Sequence, residues 1–245
     1  MVFSSLLFVF LFLTLNLVCY YSVKTIRQKN IVLLVFSLIF YAWGGAAYLL
    51  LLAGMAFWSW LCALMIEKNE EQKTRKLWMW AECLVLLGLL IFFKYMNFLT
   101  GNLSALIGFP KEATKIILPI GISFYTFQSV GYILDVYWKR YEPEKNIFKF
   151  ALFVSFFPQI LQGPIGRYSN LAHQFYEEHS FDFMRIERGV QRVLWGFFKK
   201  MVIADTAAVF VDVIFDQYQT YNGLAIFGVL AYSAQLYGDF SGGMD

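Results

Sequence analysis

Histidine, cysteine and proline are scarce in this chain. Its 245 residues include two histidines, three cysteines and five prolines, and only 15% are charged. An ordinary soluble domain carries about 25% charged residues. Cys19, Cys62 and Cys83 all lie in apolar runs. Their spacing suits neither a zinc site nor a disulfide framework, so they read as small buried hydrophobes, and no metal site is expected. A net charge of +3 without a basic patch interleaved with stacking aromatics argues against a nucleic-acid partner. No G-x-S-x-G elbow, P-loop or dinucleotide fingerprint occurs. His173 and His179 sit in the polar stretch 167–187, which offers no apolar pocket to tune a base. Pairing His173 with Glu177 or Glu178 is less natural than two solvated histidines. Ser123, Ser129, Ser155 and Ser241 have no visible base and read as helix-packing hydroxyls.

What is abundant is apolar surface: 59% of residues are hydrophobic and 20% aromatic. That surplus needs a nonpolar solvent, and the expected fold is an all-α, polytopic integral membrane protein. A helix needs about 20 apolar residues to cross the hydrocarbon core. Val2–Tyr21 qualifies, and without a basic n-region or a cleavage site it reads as a retained span. Ile31–Ile66 accommodates two short helices broken at Gly44-Gly45. Leu77–Phe98 and Ile116–Tyr137 qualify, Met201–Phe215 is short and carries Asp205 and Asp212, and Tyr221–Phe240 ends in polar residues. Roughly six to seven spans result. No linker, repeat or low-complexity tract divides the chain, so residues 1–245 read as one membrane domain.

Basic residues orient the spans. With the N-terminus outside, Lys24, Arg27, Lys29, Lys68, Lys73, Arg75, Lys76, Lys139, Arg140, Lys145 and Lys149 fall inside. Through Lys149 only Lys111 and Lys115 fall outside, a ratio of eleven to two, with Lys94 left at a helix end. The expected location is the inner or plasma membrane. Arg185–Met201 has apolar residues at helical spacing with Arg188, Gln191, Arg192 and Lys199 between them, as an interfacial amphipathic helix would. Arg188, Arg192, Lys199 and Lys200 are therefore candidates for contact with anionic lipid, or with a phosphate-bearing donor or carrier protein.

Two apolar stretches, 118–129 and 156–165, carry glycine, proline and glutamine where a lipid-facing helix would not. Interrupted backbone at membrane depth survives only if buried in protein or lining a wet cavity. Phe148–Ile165 is therefore expected to be a re-entrant or discontinuous element. Gln128, Gln159, Gln162, Gly163, Pro164 and Asp239 are the candidate cavity-lining residues. For a single glutamine, interhelical bonding is the commoner role; for the Pro158–Pro164 cluster taken together, a cavity is the better reading.

At these residues the chain resembles the membrane-bound O-acyltransferases, in their alginate O-acetyltransferase-like bacterial branch. The resemblance rests on Leu118-Pro-Ile-Gly-Ile-Ser-Phe-Tyr-Thr-Phe-Gln128, Phe153-Val-Ser-Phe-Phe-Pro-Gln159, Gly163-Pro-Ile-Gly-Arg167 and Asp239-Phe-Ser-Gly242. Val2-Phe-Ser-Ser5, Phe40-Tyr-Ala-Trp-Gly44 and Lys199-Lys-Met-Val-Ile-Ala-Asp205 also match. It implies a ring of helices around a thin centre. It further implies transfer of an acyl group, as acetyl, to hydroxyls of an extracytoplasmic polysaccharide. The donor would be acyl-CoA or an acyl carrier, used as co-substrate with no bound cofactor. An extracytoplasmic acetylation partner protein often completes the transfer. The resemblance covers the N-terminal half of such an enzyme. The family's catalytic histidine follows tryptophan beyond the Asp-Phe-Ser-Gly segment, whereas Ala172 and Glu178 precede the two histidines here. No catalytic residue is carried over, and this polypeptide alone is expected to be inactive. Broken helices with midplane polar groups also occur in transporters. A transporter or channel for lipid-linked sugar, or a non-catalytic scaffold for a sugar acylase, is the competing expectation.

Overall fold

Thr25 and Gln28 cap the first long helix reciprocally, each side chain bonding the other's backbone N–H. Such a box satisfies two orphan donors at the point where polar residues give way to an apolar run. The computed structural model describes residues 5, 7–107, 117–160 and 166–245. These fold as two compact units, one holding the described residues up to 160 together with 166–179, the other residues 180–245.

The first unit is a helical bundle. Helix α1 (Leu7–Ser22) opens with π-helical turns over Leu7–Leu13. It is followed by α2 (Ile26–Trp43), α3 (Ala46–Lys68), α4 (Gln72–Ile107) and α5 (Ile122–Tyr137). Two short helices, α6 (Ile147–Ser155) and α7 (Phe157–Ile160), are separated by Phe156, and α8 (Tyr168–Leu171) runs into a 3₁₀ turn at Ala172–Phe175. No strand occurs among the described residues. The expected break at Gly44-Gly45 separates α2 from α3. By length and composition α2, α3 and α4 can each cross a membrane, while α1 is apolar but shorter. Large apolar side chains such as Leu50, Leu77, Leu84 and Phe98 remain exposed along these helices, as lipid contact requires. The protein is thus an all-α polytopic membrane protein. The expected span Ile116–Tyr137 becomes helical only at Ile122, because Pro119 and the left-handed Gly121 (φ 72°) precede it.

Hydrogen bonds sort the ends of the first unit. Arg75 donates to the Tyr137 carbonyl at 2.8 Å and Gln72 to the Tyr137 hydroxyl at 2.8 Å, joining the start of α4 to the end of α5. Lys29 donates to the His179 carbonyl, and Asn30 to that of Phe175 at 2.8 Å, bringing in the start of α2. At the opposite end the Tyr48 hydroxyl donates to the Ile117 carbonyl at 2.9 Å. Since α2, α3 and α4 run as successive hairpins, the basic loops gather at one end and the 117–121 turn lies at the other.

In the second unit α9 (Phe183–Phe197) continues through a π-helical segment, Phe198–Ala204, into α10 (Asp205–Asp216). A short α11 (Tyr218–Tyr221) and a 3₁₀ turn lead to α12 (Ala225–Met244). The Asp182 carboxylate caps α9 by accepting from Met184 N–H at 3.0 Å and Arg185 N–H at 3.4 Å. The expected amphipathic helix Arg185–Met201 is realised as α9 and the first π turn. The expected segment Met201–Phe215 is divided between the π segment and α10.

Candidate functional site

The two interrupted stretches meet. Gly121 lies against α7: a Cβ there would stand 2.9 Å from Ile160 Cγ1 and closer still to the Ile160 carbonyl oxygen. Only glycine permits both this approach and φ 72°. The chain leaves α6 at Phe156 in an extended conformation (ψ 108°), and the freed Phe157 N–H donates to Ser37 Oγ at 3.2 Å. Phe8, Phe12 and Phe40 pack around the Phe157 ring with centroids 5.4–6.1 Å away, which fixes the short α7 from the side.

Polar side chains line this seam. Gln128, on α5, is buried and donates through Nε2 to the Phe153 carbonyl at 3.1 Å, tying α5 to α6. Gln159 is half-buried, and its Oε1 has no hydrogen-bond partner among the described residues. That oxygen abuts Gly166, where a Cβ would lie 2.5 Å away. Gln162, Gly163 and Pro164 lie outside the described residues. Gln128 and Gly166 also border a 310 Å³ pocket with Asp135, Trp138, Arg140 and Arg167.

A carboxylate that the sequence left in a loop organises the basic end. Glu144 is 7% exposed. Its Oε2 accepts from the Tyr168 hydroxyl at 2.6 Å and from the Tyr176 hydroxyl, and its Oε1 from Asn146 N–H at 2.8 Å. Its own N–H donates to the Tyr132 hydroxyl at 2.9 Å. Burial first, and then the Glu144 hydrogen bond, push the Tyr176 phenol up to about 12 and raise Tyr168 too. Burial also raises Tyr141, whose hydroxyl reaches Asp135 Oδ2 at 3.5 Å. Lys149 stands 3.1 Å over the Tyr176 ring, and burial lowers its ammonium pKa. The tyrosines close off this end of the bundle and tie 166–176 to the loop after α5.

The second unit brings together two stretches that carry the family resemblance. Lys200 pairs with Asp239 at 2.8 Å and Asp205 at 3.0 Å, and the Asp239 hydrogen bond is the first cause of its raised pKa. Lys199 donates to Ser241 Oγ at 2.6 Å and pairs with Asp245. The helices approach closely at Gly196 and Gly242, where either Cβ would lie 2.6–2.7 Å from the other's carbonyl oxygen. Asp239 is therefore an ion-paired residue of the second unit. Lys199 and Lys200 are held by α12 and by Asp205, whereas Arg188 and Arg192 line an open groove along α9 with Arg185 and Trp195.

Neither histidine is fully buried: His173 is exposed, and His179, half-buried, has Nε2 3.1 Å from the Gln174 carbonyl. Among the described residues no cluster of histidine, cysteine and carboxylate could hold a metal ion. A further buried carboxylate, Glu82, lies inside the apolar run of α4. It is fully buried, with Oε1 accepting from Ser59 Oγ at 3.0 Å and Oε2 unpartnered among the described residues.

Along its whole length the chain is 41% identical to the probable alginate O-acetylase AlgI of Pseudomonas putida and covers 51% of it. Against the protein of that name from Pseudomonas aeruginosa the values are 41% and 48%. A peptidoglycan O-acetyltransferase of Helicobacter pylori is 32% identical over the whole chain, which covers 52% of it. The chain spans about half the length of the curated relatives it matches, in their N-terminal half. No family model matches it.

Proposed function

The chain belongs to the membrane-bound O-acyltransferases, in the branch of the alginate O-acetylases, and from this we propose that it forms the N-terminal part of an enzyme acetylating an extracytoplasmic polysaccharide. The donor, acyl-CoA or an acyl carrier, reaches the protein from the cytoplasm. That side meets the basic end of the first unit if the N-terminus lies outside. An inner-membrane location follows from the same reading, with an extracytoplasmic partner protein completing the transfer.

The observation that supports an internal substrate path, rather than an anchor, is the seam between 118–128 and 153–160. Discontinuous backbone there is built against discontinuous backbone, with the Gln159 oxygen unpartnered among the described residues beside Gly166. A native fold tolerates such an atom where a ligand or the rest of the protein completes it. Gln128, Gln159, Gln162, Gly163 and Pro164 would line that path in the full-length protein. Asp239, paired with Lys200 in the second unit, is a further substrate-path candidate in the full-length protein, and Arg188 and Arg192 would meet the donor or anionic lipid.

Neither histidine is placed as a general base among the described residues, since both lie in polar surroundings. Purified chain given acetyl donor and polysaccharide should transfer nothing above background. Coexpression with the C-terminal half of an alginate O-acetylase should restore transfer. Robust activity of the chain alone, abolished by His173→Ala, would overturn this reading.

A further inference from the structure

The outer side of the 310 Å³ pocket is left unused by the acyl-transfer path. On α5, Phe127, Gly131, Leu134 and Trp138 recur at helical spacing along one face. Phe127 is 45% and Trp138 55% exposed, and a Cβ on Gly131 would touch nothing within 4 Å. The face is therefore an open apolar groove with glycine at its floor. From residue 127 to 138 it rises about 16 Å at 1.5 Å per residue. That is half of a hydrocarbon core about 30 Å thick, the depth of one leaflet.

The groove ends in positive charge. Arg140 and Arg167 both border it, and Lys139 is exposed beside them. Asp135 is the one carboxylate in the lining. It occupies Arg140 Nη1 at 2.8 Å, and the Arg140 guanidinium lies 5.0 Å from the Trp138 ring centroid. These contacts hold the guanidinium in place while leaving most of its donors free. No described carboxylate pairs with Arg167. Two arginines at the end of an apolar strip, one of them held in place, with tryptophan at the junction, match an anionic amphiphile. Guanidinium groups suit phosphate oxygens bidentately, and tryptophan favours the interface between headgroup and acyl chain.

We propose that this groove binds one anionic phospholipid, its phosphate held by Arg140 and Arg167 and an acyl chain lying along Phe127, Gly131, Leu134 and Trp138. Charge complementarity and the leaflet-deep strip select this occupant. A soluble phosphate compound would satisfy the arginines and leave the strip bare. A zwitterionic lipid would fill the strip and offer the same phosphate, but its headgroup ammonium would bring a further positive charge beside Arg140, Arg167 and Lys139. Under the orientation proposed above the lipid comes from the cytoplasmic leaflet. Its binding in detergent does not depend on that orientation, so failure of either idea is separable from the other.

The test is native mass spectrometry of the purified full chain in detergent, titrated with phosphatidylglycerol or phosphatidylcholine. One phosphatidylglycerol should bind at least about tenfold more tightly than phosphatidylcholine, whose choline nitrogen would stand among like charges. Arg140→Ala with Arg167→Ala should abolish that preference. Gly131→Leu should weaken phosphatidylglycerol by filling the floor, with the melting temperature of the chain not lowered. Equal binding of both lipids, indifferent to the arginines, would overturn the proposal and leave ordinary annular lipid. Displacement of phosphatidylglycerol by millimolar inorganic phosphate, with no effect of Gly131→Leu, would overturn it in favour of a soluble phosphate ligand. A photo-crosslinker at Phe127 in the full-length protein should capture lipid. Capture of the protein's own C-terminal half instead would show that polypeptide covers the groove, and would refute the lipid.

Discussion

Replacing Gly121 by alanine tests how tightly the two interrupted stretches are joined. Two penalties combine. The backbone at φ 72° is left-handed, which costs a non-glycine residue about 1–2 kcal/mol. The added Cβ would also press on Ile160, 2.9 Å from Cγ1 and nearer still to the carbonyl oxygen. Ile160 is buried and cannot swing aside. Overpacking of this kind costs typically about 1–3 kcal/mol. Gly121→Ala should therefore destabilise by about 2–5 kcal/mol, or relax by pushing α7 away from α5. Gly131→Ala is the internal control. It lies on α5, the helix that Gly121 precedes, with nothing within 4 Å of its Cβ, so alanine should be neutral or stabilising by about 0.5–1 kcal/mol. Thermal unfolding in detergent, followed by size-exclusion chromatography of heated samples, should separate the two variants clearly. Equal melting temperatures would refute the close junction of 121 with 160.

Other outcomes follow from the same geometry. Lys73→Cys, in the loop expected inside, should resist a membrane-impermeant maleimide in intact cells and react once the membrane is opened; labelling in intact cells would overturn the N-terminus-outside orientation. The Tyr176 phenol is raised, so its neutral form favours the fold fully below its usual value near 10, and this is lost as pH rises from about 10 to about 12. Subtracting the 295 nm titration of Tyr176→Phe from that of the parent should leave one tyrosinate step near 12. A step near 10 would show that Tyr176 is not held by Glu144.

Much of the fold was legible because a bilayer leaves few choices. The Gly44-Gly45 break, the long helices and the interruption after Ser155 all follow from apolar run length and from residues that cannot continue a helix. The helix start at Ile122, six residues into the apolar run Ile116–Tyr137, follows from Pro119 and Gly121 together, which a count of apolar residues does not register. Glu144 was illegible for a different reason. In Glu142-Pro-Glu-Lys-Asn146 it looks like a solvated loop residue, and only tyrosines at 132, 168 and 176, distant in sequence, bury it. Glu82 was legible in principle, as a lone carboxylate inside an apolar run. For Asp239, the ion pair with Lys200 needed the pairing of α12 with the π segment, which no local pattern encodes. The contact between Gly121 and Ile160 was likewise hidden, although both stretches stood out as unsuited to lipid.

Gln159 tests the central claim most directly, because its side-chain oxygen has no partner to lose among the described residues. Removing an unsatisfied buried polar group is neutral or stabilising, whereas Gln128→Leu would orphan the Phe153 carbonyl and cost about 1–3 kcal/mol. The measurement is O-acetyl transfer by Gln159→Leu, with this chain joined to the C-terminal half of an alginate O-acetylase, alongside its membrane insertion and melting temperature. A seam that lines the substrate path predicts at least about a tenfold loss of transfer, worth about 1.4 kcal/mol in the barrier, with insertion and melting temperature unchanged. Full activity in Gln159→Leu, or a loss of activity that only tracks a loss of stability, would contradict it.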